Sequence, residues 1–352
     1  MCFNSKDSSM SDDISQRITA LRRELGSSLA ILGHHYQSDD VIQHVDFQGD
    51  SLELARRIPG LDARYIVFCG VSFMAETAAL LAKPEQTVLI PDSKAHCCMA
   101  GTAPDRRVAA VLKRITAAGR KVIPLAYVNS SVGVKALCGR YGGSVCTSAN
   151  AAIMLKWAME QGDCVLFLPD KNLGMNTADL LGIPNQDQAV LNVREESAWN
   201  EDILARRLLF WPGVCAIHFR LKPEDVLLVL EDKPRPLVFV HPECDPAVVA
   251  LADVSGSTSG IIRAVREAPS GATIYIGTED NLVLRLARLH QDKHIYPLGA
   301  GYCSAMLKIT EQKLLDTLEN PDRHESVRVD PEVAPDARKA LETMLAVMEG
   351  TK

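Results

Sequence analysis

No two cysteines of this chain form a Cys-x-x-Cys pair, although there are ten of them among 352 residues. That absence disfavours a zinc ribbon, and it requires any metal to draw its ligands from distant parts of the chain. In a cytosolic protein of this size the thiols are expected to be reduced, buried or metal-bound rather than paired as disulfides. Basic residues never gather into a block of five or six, and the formal net charge is −6 with a pI near 5.9. Nucleic acid and anionic membrane surfaces are therefore poor partners. A long uninterrupted apolar run is also missing. The longest stretch, Ile66 to Ala82, is broken by Ser72, Glu76 and Thr77, which describes a buried strand followed by a helix rather than a membrane span. The opening MCFNSKDSSMSD has neither the cationic start nor the apolar core of a secretory signal; residues 1–11 are expected to be a disordered leader and the protein to stay in the cytoplasm.

Hydrophobic residues make up 47% of the chain and charged residues 23%, the balance of a soluble globular protein. The length exceeds the roughly 100–200 residues of one domain, so more than one core is expected. The cores turn out to be related. Three short apolar runs end abruptly in polar residues: AILGHHY (30–36), IPLAYVN (123–129) and LVFVHPE (237–243). Each reads as a buried parallel strand, continuous rather than alternating in hydrophobicity. Aligned, they place His34, Tyr127 and His241 at one position, and Tyr36, Asn129 and Glu243 two residues on.

The likeness continues downstream. VDFQGDS (45–51) matches ADVSGST (252–258), so Ser51 and Thr258 each lie 17 residues beyond their histidine, with Ser148 of SVCTSAN as the middle counterpart. Each hydroxyl residue precedes a helical stretch and is expected to cap it. Third strands follow in YIVFCG, CVLFLPD and TIYIGTE; Phe68 and Tyr275 both stand 34 positions after their histidine. Fourth strands run into Cys97, Cys215 and Cys303, and the middle unit is lengthened by a segment around Met175 to Asn200. Repeats are thus expected over 12–120, 121–235 and 236–330, with helical character at 12–26 (Ile14, Ile18, Leu21, Leu25), at 310–320 and in a tail over 331–352. Alternating strands and helices predict an α/β protein of three homologous parallel-sheet domains. Such sheets bind ligands beyond the carboxyl ends of their strands. Three of them around a pseudo-threefold axis aim their motifs at one central active site.

A lone cysteine is ordinarily a small buried hydrophobe, but Cys97, Cys215 and Cys303 share one place in three repeats, which marks them as a joint ligand set. Three thiolates without a fourth suit a 4Fe-4S cluster with one iron open. Zinc held by three thiolates and a histidine remains an alternative, given Cys215-x-x-His218. Hydroxyls beside helix N-termini suit a polyanionic substrate. His34, His241, Tyr36 and Glu243 are acid–base candidates, with Glu243 the general base and its pKa expected to be raised toward neutrality. Asp170 and Glu279 also end strands and are equally suited to framework hydrogen bonding and to function.

The stretches GHHYQSDDVIQHVDFQGDSLELAR, FCGVSFMAETAALL, AYVN, CTSANA, FLPDKNLG, WPGVCAIH, HPEC, GSTSG and IGTE stand in one order over roughly residues 30–310. Together they resemble the motifs of the quinolinate synthase family. The resemblance implies a triangular three-domain fold, an oxygen-sensitive 4Fe-4S cluster and a reaction of NAD biosynthesis. In that reaction iminoaspartate and dihydroxyacetone phosphate give quinolinate, phosphate and water. By position it implies Cys97, Cys215 and Cys303 as cluster ligands. It implies His34, Ser51, Tyr127, Val128, Asn129, Ser148, His241, Pro242, Glu243 and Thr258 at the substrate, with Tyr36 and His218 at further functional positions. An aspartate oxidase that supplies iminoaspartate is the implied transient partner. The chain departs from the family pattern at AHCCMA, where Cys98 takes the place of a serine, at GHHY, and at CSAMLKIT after Cys303. Other readings are a different 4Fe-4S hydro-lyase and a non-enzymatic iron–sulfur redox sensor; the sensor predicts a basic recognition helix, which the sequence does not supply.

Overall fold

The computed structural model describes residues 5–195 and 199–350. Its strands are β1 Leu29–His34, β2 Phe47–Gly49, β3 Tyr65–Cys69, β4 Thr87–Leu89, β5 Val122–Tyr127, β6 Ser144–Cys146, β7 Cys164–Leu168, β8 Gln188–Val190, β9 Leu208–Phe210, β10 Leu237–Val240, β11 Val254–Ser255, β12 Thr273–Gly277 and β13 His294–Pro297. They form three all-parallel sheets, ordered β2-β1-β3-β4, β6-β5-β7-β9-β8 and β11-β10-β12-β13. In every sheet the strand after the first lies on one side of it and the later strands on the other. The carboxyl end of the first strand therefore sits at the switch point where open α/β sheets place their ligands. Strands β1, β3, β5 and β7 are buried along their whole length, as strands covered by helices on both faces must be.

Strand register confirms the alignment of the repeats. His34 pairs with Gly49 and Tyr127 with Cys146, and Val240, one residue before His241, pairs with Ser255. Gly49, Cys146 and Gly256 are therefore equivalent, and Ser51, Ser148 and Thr258 each lie two residues further on. Paired strand ends tolerate no slippage when both faces are buried, because one residue of slip turns every side chain over. The same register corrects one expected match. Leu32 pairs with Phe68 but its equivalent Phe239 pairs with Ile276, while Tyr275 faces Val238. The counterpart of Tyr275 is thus Val67, and the shared 34-residue spacing is a coincidence of loops differing by one residue. The additional segment of the middle repeat supplies edge strand β8.

The chain forms two compact units, one taking in residues through His96 together with Cys303–Val329, the other Cys97–Tyr302 and Asp330–Lys352. These do not follow the repeat boundaries. In the first unit the returning segment packs on the first sheet: Val327 N–H donates to the Val88 carbonyl at 2.8 Å, and Lys313 bonds Asp92 at 2.6 Å. Buried His44 meets Glu311 at 2.6 Å. The amphipathic helix runs Ser5–Leu25, burying Ile18 and Leu21, so it takes in part of the expected leader, of which residues 1–4 lie outside the described residues. In the second unit the terminal helix Ala334–Gly350 packs on the helix Val132–Arg140: a Cβ on Gly139 would fall 2.0 Å from the Asp336 carbonyl oxygen. Ser144 Oγ reaches the Ala340 carbonyl at 3.0 Å. No helix among the described residues is long and apolar enough to cross a membrane.

Candidate active site

The two strand-end histidines sit in identical turns. Tyr36 N–H donates to His34 Nδ1 at 3.1 Å, and Glu243 N–H donates to His241 Nδ1 at 3.3 Å. In both turns the histidine carbonyl accepts the N–H three residues on. A ring nitrogen that accepts carries no hydrogen, so each imidazole is held in the tautomer with hydrogen on Nε2. His241 directs that Nε2 to Ser148 Oγ at 3.2 Å. In the first unit His34 also meets the Tyr36 ring edge-on at 4.6 Å between centroids.

In the second unit the sequence-marked residues converge around Glu243. Its carboxylate accepts from His218 Nδ1 at 2.9 Å and from the Tyr127 hydroxyl. His218 Nε2 lies 3.1 Å from Thr278 Oγ1, and its ring stacks on His241 at 4.5 Å and 14°. His218, His241 and Glu243 are each 2% exposed. Asn172 and Asn176, one turn apart on the helix Lys171–Leu180, fix the backbone beneath them: Asn176 Nδ2 donates to the Pro242 and Cys244 carbonyls, each at 2.8 Å, and Asn172 Nδ2 to the Glu243 carbonyl at 3.2 Å. Pro242 and Ser148 border a cavity of about 380 Å³ that Ser255 and Gly256 also line. Tyr127 and Val128 are buried at the end of β5, and Asn129 Oδ1 is buried with no hydrogen-bond partner among the described residues.

Two expectations are corrected here. Glu243 does not have a raised pKa. Burial pushes it up, but the facing imidazoles of His218 and His241 and the bonds from His218 and Tyr127 outweigh that and hold it at about 2. Nor do the three hydroxyls cap helices. Asp50 caps the helix Ser51–Arg57 in a capping box with Glu53, Ser257 caps Thr258–Glu267, and Asn150 occupies the cap position before Ala151–Gln161. Asp50 and Ser257 win because they are the extended residues whose side chains reach the second or third helical N–H. Ser51 and Thr258 are first helical residues, and Ser148 is spent on His241.

The cysteines are placed by backbone bonds of one kind. The first residue of the helix after each third strand donates its N–H to a carbonyl in the cysteine loop: Ser72 to Ala95, Lys171 to Gly213 and Asp280 to Gly301. Two residues beyond those carbonyls stand Cys97, Cys215 and Cys303. A 3₁₀ turn begins three residues after each cysteine, at Ala100, His218 and Met306. These three thiols are half-buried, whereas Cys98 is exposed and Cys69, Cys138, Cys146, Cys164 and Cys244 are buried. Burial pushes Cys69 and Cys138 up to about 12 and Cys164 to about 11, and raises Cys146 and Cys244 as well. Burial, with the nearby Glu243 carboxylate, raises the Cys215 thiol as well, so loop position rather than acidity separates the three from these five.

Asp170, wholly buried, carries more of the site than its strand-end position revealed. One oxygen caps its own helix at Leu173 N–H, 2.8 Å, and the other accepts the Cys215 N–H at 2.9 Å. Asparagine caps as well as aspartate, but its second group donates and cannot accept from Cys215. Asp170→Asn is therefore expected to keep its melting temperature within a few degrees while amide exchange of the peptide spanning Cys215 quickens. Unchanged exchange there reduces Asp170 to a cap.

His241 links the site to acid stability. Burial, and the charge of His218, lower its pKa from 6.5 to about 3, against the opposing pull of Glu243. Between those values the unfolded chain binds a proton that the folded chain refuses, so stability falls as pH drops through the window. Glu243 adds to the loss between 4.5 and about 2, since its folded form resists protonation. Urea midpoints of the wild type are expected to decline from pH 6.5 downward, and His241→Gln to flatten the upper part of that decline.

Buried acid–base groups at the carboxyl ends of parallel strands, beside thiols suited to a metal, define an α/β enzyme. A family model described as quinolinate synthetase A protein matches residues 16–346. The chain is 44% identical to a quinolinate synthase of Bacillus licheniformis over 344 residues, 96% of this chain and 93% of the relative. It is 42% identical to one of Bacillus cereus over 342 residues, 95% and 93% of the two chains. A third, of Bacillus pumilus, is 41% identical over 344 residues, 96% and 93%. The chain belongs to the quinolinate synthetase A family.

Proposed function

We propose that this enzyme condenses iminoaspartate with dihydroxyacetone phosphate to quinolinate, phosphate and water, supplying the pyridine ring for NAD in the cytoplasm. We further propose that Cys97, Cys215 and Cys303 hold a 4Fe-4S cluster. The observation that carries this reading is the common placement of the three cysteines, each two residues past the same helix-to-loop bond. Half-buried thiols are the right donors for such a cluster, and the orphaned Asn129 Oδ1 fits a polar ligand nearby in the second unit. When bound, the cluster supplies a Lewis-acidic iron that polarises substrate oxygen or nitrogen.

The side chains perform the rest. Tyr127, Asn129, Ser51, Ser148 and Thr258 bind the carboxylates and the phosphate. Glu243, ionised at neutral pH, accepts the proton released as iminoaspartate presents its C3 to the triose, and it fixes His218 through Nδ1. His34 and His241 present Nε2–H as hydrogen-bond donors to developing negative charge, with Tyr36 beside His34. Burial of His218, His241 and Glu243 keeps water from the imine intermediates. An aspartate oxidase is the proposed source of iminoaspartate. Anaerobic purification with iron and sulfide analysis, followed by an assay for quinolinate from the two substrates, tests the proposal. Quinolinate formation that tracks iron content is expected. An iron–sulfur protein that instead dehydrates a hydroxy acid is a different hydro-lyase, and one that turns over neither is a sensor.

A further inference from the structure

The second unit holds a donor set that needs neither Cys97 nor Cys303. The Cys215 sulfur, a His218 ring nitrogen and a Glu243 carboxylate oxygen all lie within 4.8 Å of one another. We propose that these three side chains form a mononuclear site for a tetrahedral divalent cation of the zinc class, occupied when the iron–sulfur cluster is absent and excluding the cluster while filled. The competition rests on the reading of Cys215 as a cluster ligand; the cation site itself does not.

Thiolate, imidazole and carboxylate are the donors zinc takes, with the fourth position left to water. The ligands are already held for that purpose. Phe219 N–H closes a turn on the Cys215 carbonyl at 2.9 Å, which brings residues 215 and 218 to one side of the chain. Asp170 fixes the Cys215 amide at 2.9 Å, and Asn172 fixes the Glu243 carbonyl at 3.2 Å. With His218 binding through Nδ1, which already points at Glu243, Nε2 keeps its 3.1 Å bond to Thr278 Oγ1. A metal-binding histidine characteristically has such an outer partner. The Cys215 thiolate joins the Glu243 carboxylate as a second buried anion, and buried anions are costly unless paired or metal-bound. The cation displaces the Cys215 thiol proton to solvent. It takes the Nδ1 lone pair of neutral His218 in the tautomer with hydrogen on Nε2, which then donates to Thr278 Oγ1, so no co-reactant is needed.

The test uses the full chain, freed of iron by chelation under reductant and titrated with Co²⁺ and Zn²⁺. One tightly held Co²⁺ with tetrahedral visible bands and a thiolate charge-transfer band is expected. Cys215→Ser should abolish the charge-transfer band, Cys97→Ser and Cys303→Ser should leave it, and Thr278→Val should weaken binding by about tenfold or more. Wild-type protein gives a check that needs no variant to fold: zinc should shield Cys215 from alkylation while Cys97 and Cys303 still label. A cobalt band lost with Cys97→Ser, or Cys215 labelling unaffected by zinc, overturns the inference. Iron retention separates the two proposals. If Cys97→Ser and Cys303→Ser keep reconstituted iron, the cluster reading fails and the cation site stands. If they lose iron and cobalt alike, the reverse holds.

Discussion

Cys97→Ser, Cys215→Ser and Cys303→Ser, introduced singly, are each expected to reduce anaerobically purified protein to background iron and sulfide and to remove its brown absorbance, whereas Cys98→Ser keeps both. The adjacent thiols make this a demanding test, because Cys98 is the more exposed of the pair and on accessibility alone is the better ligand. Backbone placement argues the other way. Cys97 lies two residues past the carbonyl that receives Ser72 N–H and three before its 3₁₀ turn, as do Cys215 and Cys303 relative to theirs. The residues equivalent to Cys98 are Ala216 and Ser304, and neither offers a thiolate. No buried cysteine replaces a missing ligand, since Cys69, Cys138, Cys146, Cys164 and Cys244 are enclosed in the interior and none stands in one of the three cysteine loops. Loss of iron with Cys98→Ser and its retention with Cys97→Ser shifts the registration by one residue.

Strand ends were legible in the sequence wherever one chain segment determines the outcome. The runs ending at His34, Tyr127 and His241 are continuous apolar stretches, and no other pairing buries both of their faces. The hydroxyl and cysteine positions follow from them by short loops. What escaped the sequence depends on groups that meet only in space. Spacing in the sequence aligns Tyr275 with Phe68, because a one-residue loop difference is invisible without the pairing partner. The caps are not legible because Asp50 and Ser257 stand one residue before Ser51 and Thr258, and only backbone angles distinguish them. Asp170 showed itself as a strand end, but its bond to Cys215 spans 45 residues. Thr278, Asn172 and Asn176 are not marked by residue chemistry; the IGTE and FLPDKNLG stretches hold the threonine at 278 and the asparagine at 172 without revealing what they grip. The pKa direction of Glu243 is hidden for the same reason. Burial was foreseeable, but the imidazole that overrides it comes from His218, 25 residues away.

Glu243→Gln is expected to retain full iron and to bind substrate, yet to turn over about 10²-fold or more slowly. Glutamine keeps the length of the side chain and an oxygen to accept from His218 Nδ1 or from Tyr127. It loses the negative charge and the basic lone pair together. In the wild type both donors already point at the carboxylate, at 2.9 Å in the case of His218, and they make it a weak base at rest. The charge is nevertheless fully present at neutral pH, because the pKa is held at about 2. A proton taken from substrate carbon is therefore retained only if one of these donor bonds lengthens or turns to the substrate as charge moves. The pH profile separates this mechanism from one in which the glutamate titrates near neutrality. Across the range in which the enzyme is assayed Glu243 does not change its charge, so the acid limb of kcat/KM belongs to another group and is expected to survive in Glu243→Gln at the lowered rate. A limb near neutrality that disappears with the substitution shows that Glu243 itself titrates there, and near-normal turnover with iron intact moves the base to His34 or Tyr36.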